Sequence, residues 1–279
     1  MTIKIVTDST VDLSQDIIDR YNITVVPLQI VINGETYIDR VNITPQEFMK
    51  KMKESDELPK SSQPSLGTFL DVYNQLTADG SEVISIHITG GMSGTVQTAV
   101  SASKQVRGKV TVVDSMYISK ALSFQVLEAA KMAKEGKSVE EILHRIKQVR
   151  DHSRLFVVVD TLENLVKGGR IGKGKAFIGS LLKIKPIAEL SEGVYSPVAT
   201  ARSYKQVVKI LVNHLIQDTE GKTIKGIGLV HADGMEFAKL LKEKILEIFS
   251  HLDILIEDTT PIISTHTGPG AIGFMYYAE

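Results

Sequence analysis

Residues 89–95 read Thr-Gly-Gly-Met-Ser-Gly-Thr and follow the apolar run Val83-Ile84-Ser85-Ile86-His87-Ile88. Two glycines let backbone approach a ligand closely. Ser93, Thr95 and the free amides at the start of a following helix point the same way, a combination suited to an anion. A hydroxyl capping a tight turn explains the same residues without any ligand. A second hydroxyl-rich stretch is Ser61-Ser62-Gln63-Pro64-Ser65. Ser65 caps the next helix and Pro64 fixes the approach to it, which leaves Ser61, Ser62 and Gln63 without a local duty. A third is Thr265-His266-Thr267-Gly268-Pro269-Gly270. A histidine among hydroxyls and glycines is well placed to meet a ligand, though a structural histidine with satisfied hydrogen bonds is the plainer reading.

Residues 167–176, Lys-Gly-Gly-Arg-Ile-Gly-Lys-Gly-Lys-Ala, spell part of a nucleotide-binding loop. Ala176 stands where magnesium would need a hydroxyl, and the segment before the glycines reads as a helix and not a strand, so ATP binding is rejected. What remains is Arg170, Lys173 and Lys175 on a glycine-rich, exposed loop, suited to a phosphate or an acidic partner surface. Arg202, in Ala199-Thr200-Ala201-Arg202, is noted for the same role. Asp8, Ser9 and Thr10 end the first strand, and Asp8 is placed either to orient a histidine or simply to favour the turn. Ser93 with His266 and Asp8 would make a hydrolase or acyltransferase triad. Against that reading, Gly94 follows Ser93 directly and Thr95 stands where a nucleophile elbow has its last glycine.

These residues need elements to hold them. Short β-branched runs alternate with amphipathic segments through the first half, the pattern of βα units and a mostly parallel sheet flanked by helices. Thr44-Pro45-Gln46-Glu47 opens a helix, Asn33-Gly34 marks a tight hairpin, and residues 53–65 read as a long loop. After residue 154 the rhythm changes to runs around Glu192-Gly193 and a hairpin-and-meander C-terminus, which predicts an α+β domain with antiparallel sheet. The division expected is 1–153 and 154–279. Ile, Leu and Phe in residues 176–190 read equally well as tunnel wall or as core.

The chain has 279 residues, 23% of them charged with a net charge of −1, so no broad field argues for nucleic acid. It has no cysteine, which excludes thiolate chemistry and fits a reducing compartment. The start enters a strand directly and no stretch approaches the ~18 apolar residues of a membrane span, so a cytoplasmic protein is expected.

The motifs VTDSTVDL, SSQPS, TGGMSGT, LENLVKGGRIG, ATAR and HTGPGAIG occur in an order and spacing that resembles the DegV family across the whole chain. The resemblance implies a two-domain α/β protein of bacteria that encloses one long-chain fatty acid between its domains. It implies no catalysis by the chain itself and no cofactor or metal. The expected role is that of the lipid-binding subunit of a fatty acid kinase. It would present the carboxylate to a separate ATP-binding kinase subunit, and the acyl phosphate would feed phospholipid synthesis. A downstream acyltransferase and transient contact with a membrane surface are further implied partners. Carried over by motif, Ser61, Ser62, Ser93, Gly94 and His266 hold the carboxylate, with serine replacing the family's usual threonine at 61. Arg170, with Lys173 and Arg202, falls to the kinase partner or the phosphate.

Overall fold

The computed structural model describes residues 2–173 and 184–279. Four strands form a parallel sheet in the order β2 (Thr24–Val26), β1 (Ile3–Asp8), β6 (Glu82–His87) and β7 (Val110–Asp114). Apolar residues occupy both faces of its central strands, as a sheet covered on both sides requires. Ile5, Ile84 and Ile86 pack on α5 (Ser119–Lys134) and α6 (Val139–His152). Val6 and Val83 pack on the other side with α3 (Leu66–Thr77) and α4 (Thr95–Ser103). From β1 the chain turns through α1 (Gln15–Arg20) to β2, whereas β6 and β7 extend the sheet the opposite way. The loops after β1 and β6 therefore diverge and leave a crevice at the strands' carboxyl ends, where open α/β sheets bind ligands.

A small antiparallel sheet has the order β4 (Glu35–Ile38), β3 (Gln29–Ile32), β5 (Lys60–Ser62), with Asn33 and Gly34 both at positive φ in the expected hairpin. The helix expected at Thr44 is α2 (Pro45–Glu54), opened by a capping box between Thr44 and Glu47. Residues 53–65 are not one loop. Their start completes α2, and Lys60-Ser61-Ser62 pairs with Val31-Ile30-Gln29. A three-residue polar strand carries no hydrophobic alternation, so only its pairing partner reveals it.

The third sheet has the order β10 (Val194–Ala201), β9 (Lys185–Ser191), β8 (Ser153–Val158), β13 (Ala271–Ala278), β11 (Ile224–Ala232), β12 (Ile256–Asp258). Every neighbouring pair is antiparallel except β11 with β12. The architecture is thus the mixed α/β arrangement expected, a parallel sheet with helices and a separate, mostly antiparallel one. α8 (Tyr204–Asp218) and α9 (Met235–Leu246) cover one face of the large sheet. On the other face Leu155, Val157, Val230 and Met275 join Leu28, Ile30 and Ile88 in one core. Into it α10 (Pro261–Thr267) contributes Ile262 and Ile263, and α7 (Glu163–Lys167) contributes Leu165. α10 corrects the meander expected at the C-terminus. Its β-branched run concealed a helix whose signals were present: Thr260 at the N-cap, Pro261 in the first turn, and Gly268 at φ 75° after the last residue.

The β9–β10 turn seats one part of the chain on another. Gly193 has φ 77°, and its carbonyl accepts a hydrogen bond from Thr89 Oγ1 at 3.0 Å. A Cβ there would lie 2.4 Å from the same hydroxyl. Gly193→Ala should cost ~1–3 kcal/mol, the usual range for a non-glycine residue held in a strained backbone region. Urea unfolding measures it as a lower midpoint at unchanged m-value. An unshifted midpoint would mean the turn is not seated on Thr89.

Candidate functional site

Six of the polar residues singled out in the sequence meet at one cavity of about 210 Å³. Ser61 and Ser62 arrive on β5, Gln63 just after it, Ser93 in the loop before α4, Arg170 after α7, and His266 on the last turn of α10. Leu28, Ile88, Met92, Ile118, Tyr195 and Ile263 form the apolar part of the wall. The cavity is therefore amphipathic, lined by hydroxyl, imidazole and guanidinium groups as well as hydrocarbon.

Pairing places each donor. Ser61 lies directly opposite Ile30, so its side chain shares the inward face of the small sheet. Its Oγ lies 2.7 Å from His266 Nε2, a bond between residues 205 positions apart. The other ring nitrogen, Nδ1, is buried without a hydrogen-bond partner, and a Cβ on Gly168 would come within 2.4 Å of it. The imidazole thus packs edge-on against a glycine. Burial first, and then the Arg170 charge beside it, holds the His266 pKa down to about 4. The ring is consequently neutral at ordinary pH and works as a hydrogen-bonding group.

Ser93 Oγ pairs with Thr95 Oγ1 at 2.8 Å and accepts from the Thr95 amide at 3.3 Å, which places the serine at the first turn of α4. Gly94 is the N-cap and is not part of the cavity wall. A Cβ there would lie 2.1 Å from Gln63 Oε1, so this glycine makes room for the neighbouring donor loop. Gln63 Nε2 in turn donates to Thr98 Oγ1 at 2.6 Å and clasps that loop to α4.

Arg170 departs from expectation. It is half-buried in the cavity wall, where its Nε donates to the Met92 carbonyl at 3.1 Å and its Nη1 to the Gly168 carbonyl at 2.5 Å. Its glycine neighbours suggest exposure, but Gly168 serves close packing against His266, while Gly169 supplies a positive φ of 73°. Lys173 is exposed, 3.4 Å from Glu192, and Arg202 is exposed with its backbone amide bound to Gln206; neither lines the cavity. Lys175 and residues 176–183 lie outside the described residues. Among the described residues no group of three or more His, Cys, Asp or Glu could hold a metal ion, and no helix is long and apolar enough to cross a membrane.

The Ser93, His266, Asp8 triad is not assembled. His266 reaches Ser61 and not Ser93, and its Nδ1 meets no carboxylate. Asp8 is fully buried and bonds to His87 Nδ1 at 3.0 Å. Asp8 does orient a histidine, and that histidine is His87. Gln63 had been left without a duty, and Tyr195 escaped sequence reasoning altogether. Tyr195 follows a hairpin turn like any strand residue, and only the fold brings it to the cavity.

Comparison with known proteins places the chain in a family. A family model described as an uncharacterised protein of the DegV family matches residues 2–279, and the chain belongs to that family. A DegV domain-containing protein of Listeria monocytogenes is 45% identical over 278 residues, 99% of each chain. One from Staphylococcus aureus is 44% identical over 271 residues, 97% of each. Among solved structures, a DegV family protein from Thermus thermophilus described for its fatty acid binding superposes with a TM-score of 0.94 at 36% identity, covering 100% of both chains. DegV from Bacillus subtilis, described as a fatty acid binding protein, gives 0.91 at 32% identity, again over 100% of both.

The depressed His266 pKa has a stability consequence. Its folded value, about 4, lies below the ordinary 6.5, so the unfolded chain binds the proton first as pH falls. The contribution is complete above the ordinary value and is lost as pH drops toward the folded one. Relative to His266→Gln, ligand-free protein should lose on the order of 3 kcal/mol across that window. Urea midpoints of the two proteins from pH 7.5 to 4 check it. Parallel pH profiles would mean that the ring is not held neutral.

Proposed function

We propose that this chain binds one long-chain fatty acid, with the carboxylate among Ser61, Ser62, Ser93 and His266 and the acyl chain among the apolar residues behind them. The observation that carries the reading is the amphipathic cavity: among the described residues, hydroxyl and imidazole groups beside one arginine in a wall that is otherwise largely hydrocarbon. A phosphate site would gather more cations, whereas a singly charged carboxylate fits neutral donors and one guanidinium. The fatty-acid-binding relatives support the same ligand.

The acyl chain has a route. A smaller cavity of about 20 Å³ shares Ile118, Tyr195, Ile263 and Thr267 with the first and continues to Leu155, Val157 and Met275 of the large sheet. Together they fall short of the ~300–1,000 Å³ of ordinary small-molecule pockets. Loading therefore parts the side chains that separate them. In this reading residues 1–153 supply the hydroxyl loops together with Leu28, Ile88, Met92 and Ile118, and residues 154–279 supply His266, Arg170 and the rest of the tail wall.

The chain is a substrate-presenting subunit and not an enzyme. Ser62 and Gln63 are exposed, and Ser61, Ser93 and Arg170 are half-buried, so the carboxylate end lies at the rim where a second protein can reach it. An ATP-binding kinase subunit would phosphorylate that carboxylate in the cytoplasm to an acyl phosphate, the activated form consumed in phospholipid synthesis. Arg170 beside the carboxylate would also face the incoming phosphoryl group, with Lys173 and Arg202 further out for the partner.

Two outcomes follow. Hydrogen bonds to a charged acceptor are worth ~1.5–3 kcal/mol, so Ser93→Ala should weaken oleate binding roughly ten- to a hundredfold in a calorimetric titration. Oleyl alcohol, which lacks the charge, should bind wild type more weakly and distinguish less between the two proteins. Equal binding of acid and alcohol to wild type would refute the carboxylate site. Arg170→Ala should abolish acyl-phosphate formation with a kinase subunit even at saturating oleate, and normal turnover there would remove its transfer role.

A further inference from the structure

Beneath the glycine-rich loop runs a buried chain of side-chain hydrogen bonds that ligand contacts do not require. Tyr73 Oη donates to Ser85 Oγ at 2.8 Å, Ser85 Oγ lies 2.6 Å from His87 Nε2, and His87 Nδ1 lies 3.0 Å from Asp8 Oδ2. All four residues are fully buried. Only one direction satisfies every member. Tyr73 donates to Ser85, so the serine hydrogen goes to Nε2, and Nδ1 carries the proton that Asp8 accepts. Asp8 Oδ2 also accepts the Ile88 amide at 2.8 Å, and its Oδ1 accepts the Thr10 amide at 3.0 Å and Thr10 Oγ1 at 2.6 Å.

The ends of this chain are what give it a role. Ile88 is a cavity residue and the last before Thr89-Gly90-Gly91, so its amide sets where the Ser93 loop leaves the sheet. Tyr73 stands on α3, whose N-cap Ser65 follows Ser61-Ser62-Gln63. The two donor loops are thus registered to one another through the sheet interior. A serine, histidine and aspartate in sequence resemble a hydrolytic triad, but at zero exposure no substrate reaches Ser85.

Resting on the carboxylate site proposed above, we propose that Asp8 and His87 are positioning residues that align the Ser93 loop on the fatty-acid carboxylate without touching it. They act through the Ile88 amide on the start of the Ser93 loop, and apart from Ile88 the hydrocarbon wall is built by residues they do not hold.

Asp8→Asn tests this, because the amide keeps the shape while placing an N–H against donors. With the amide nitrogen in the Oδ2 place, His87 switches its proton to Nε2 and the Ile88 amide loses its acceptor; with it in the Oδ1 place, the ring is unchanged and the Thr10 amide loses its acceptor. Histidine ¹⁵N spectra should show protonated Nδ1 at His87 in wild type. In the variant they report which orientation is adopted, protonated Nε2 marking the first, to which the following binding outcomes apply. Oleate binding should weaken about tenfold, the loss expected from misaligning one hydrogen bond to a charged group, while oleyl alcohol binding stays within about twofold. Equal weakening of acid and alcohol would reduce Asp8 to a structural residue and overturn the inference. Unchanged oleate affinity despite a switched ring would overturn it as well. If Asp8→Asn does not fold or takes the second orientation, wild type decides by itself, since an Nε2–H tautomer at His87 contradicts the chain. A wild type that binds acid and alcohol alike overturns the carboxylate site, and with it this inference, a pattern distinct from the others.

Discussion

The bond between Ser61 and His266 is the contact on which the site depends. It joins a three-residue polar strand to the last turn of a seven-residue helix, two elements too short to be stable alone. Each is held by its surroundings: β5 by pairing with β3, α10 by the burial of Ile262 and Ile263. Where they meet, the cost of burying an imidazole is lowered by keeping it neutral, and the nearby Arg170 charge reinforces that state. A neutral ring next to a cation is a poor site for a second cation and a good one for a carboxylate.

Glycine does a matching job in the backbone. At 94 and 168 a side chain would collide with Gln63 and with His266, so both glycines exist for close approach and not for turn geometry. Both flank donors, and both sit in the loops that the sequence marks as glycine-rich. The same packing explains why Arg170, flanked by glycine, is drawn inward. Its hydrogen bonds to Met92 and Gly168 span the gap between the loop before α4 and the loop after α7.

Much of this was legible in the sequence, for identifiable reasons. Ser93 and His266 stand out in the sequence as a hydroxyl and a histidine among glycines just after apolar runs, and Ser61 and Ser62 as hydroxyls left over once Ser65 and Pro64 have started the next helix. The parallel sheet was legible from alternating β-branched and amphipathic runs. Other features depend on distant partners. β5 has no periodicity of its own, α10 was masked by β-branched residues, and the inward turn of Arg170 rests on a carbonyl 78 positions away. Asp8 shows the boundary most clearly: its type announced a histidine partner, and only the register of β1 against β6 selects His87 over His266.

The central claim is that a fatty-acid carboxylate sits against the Ser61–His266 pair. It is tested most directly by adding carboxyl-¹³C oleate to histidine-¹⁵N-labelled protein stripped of lipid. A single bound carboxyl resonance should appear and saturate at one equivalent, with the His266 ring resonances shifting in step. A bound carboxyl signal that leaves His266 unmoved would contradict it, as would a carboxyl resonance that never departs from that of free oleate.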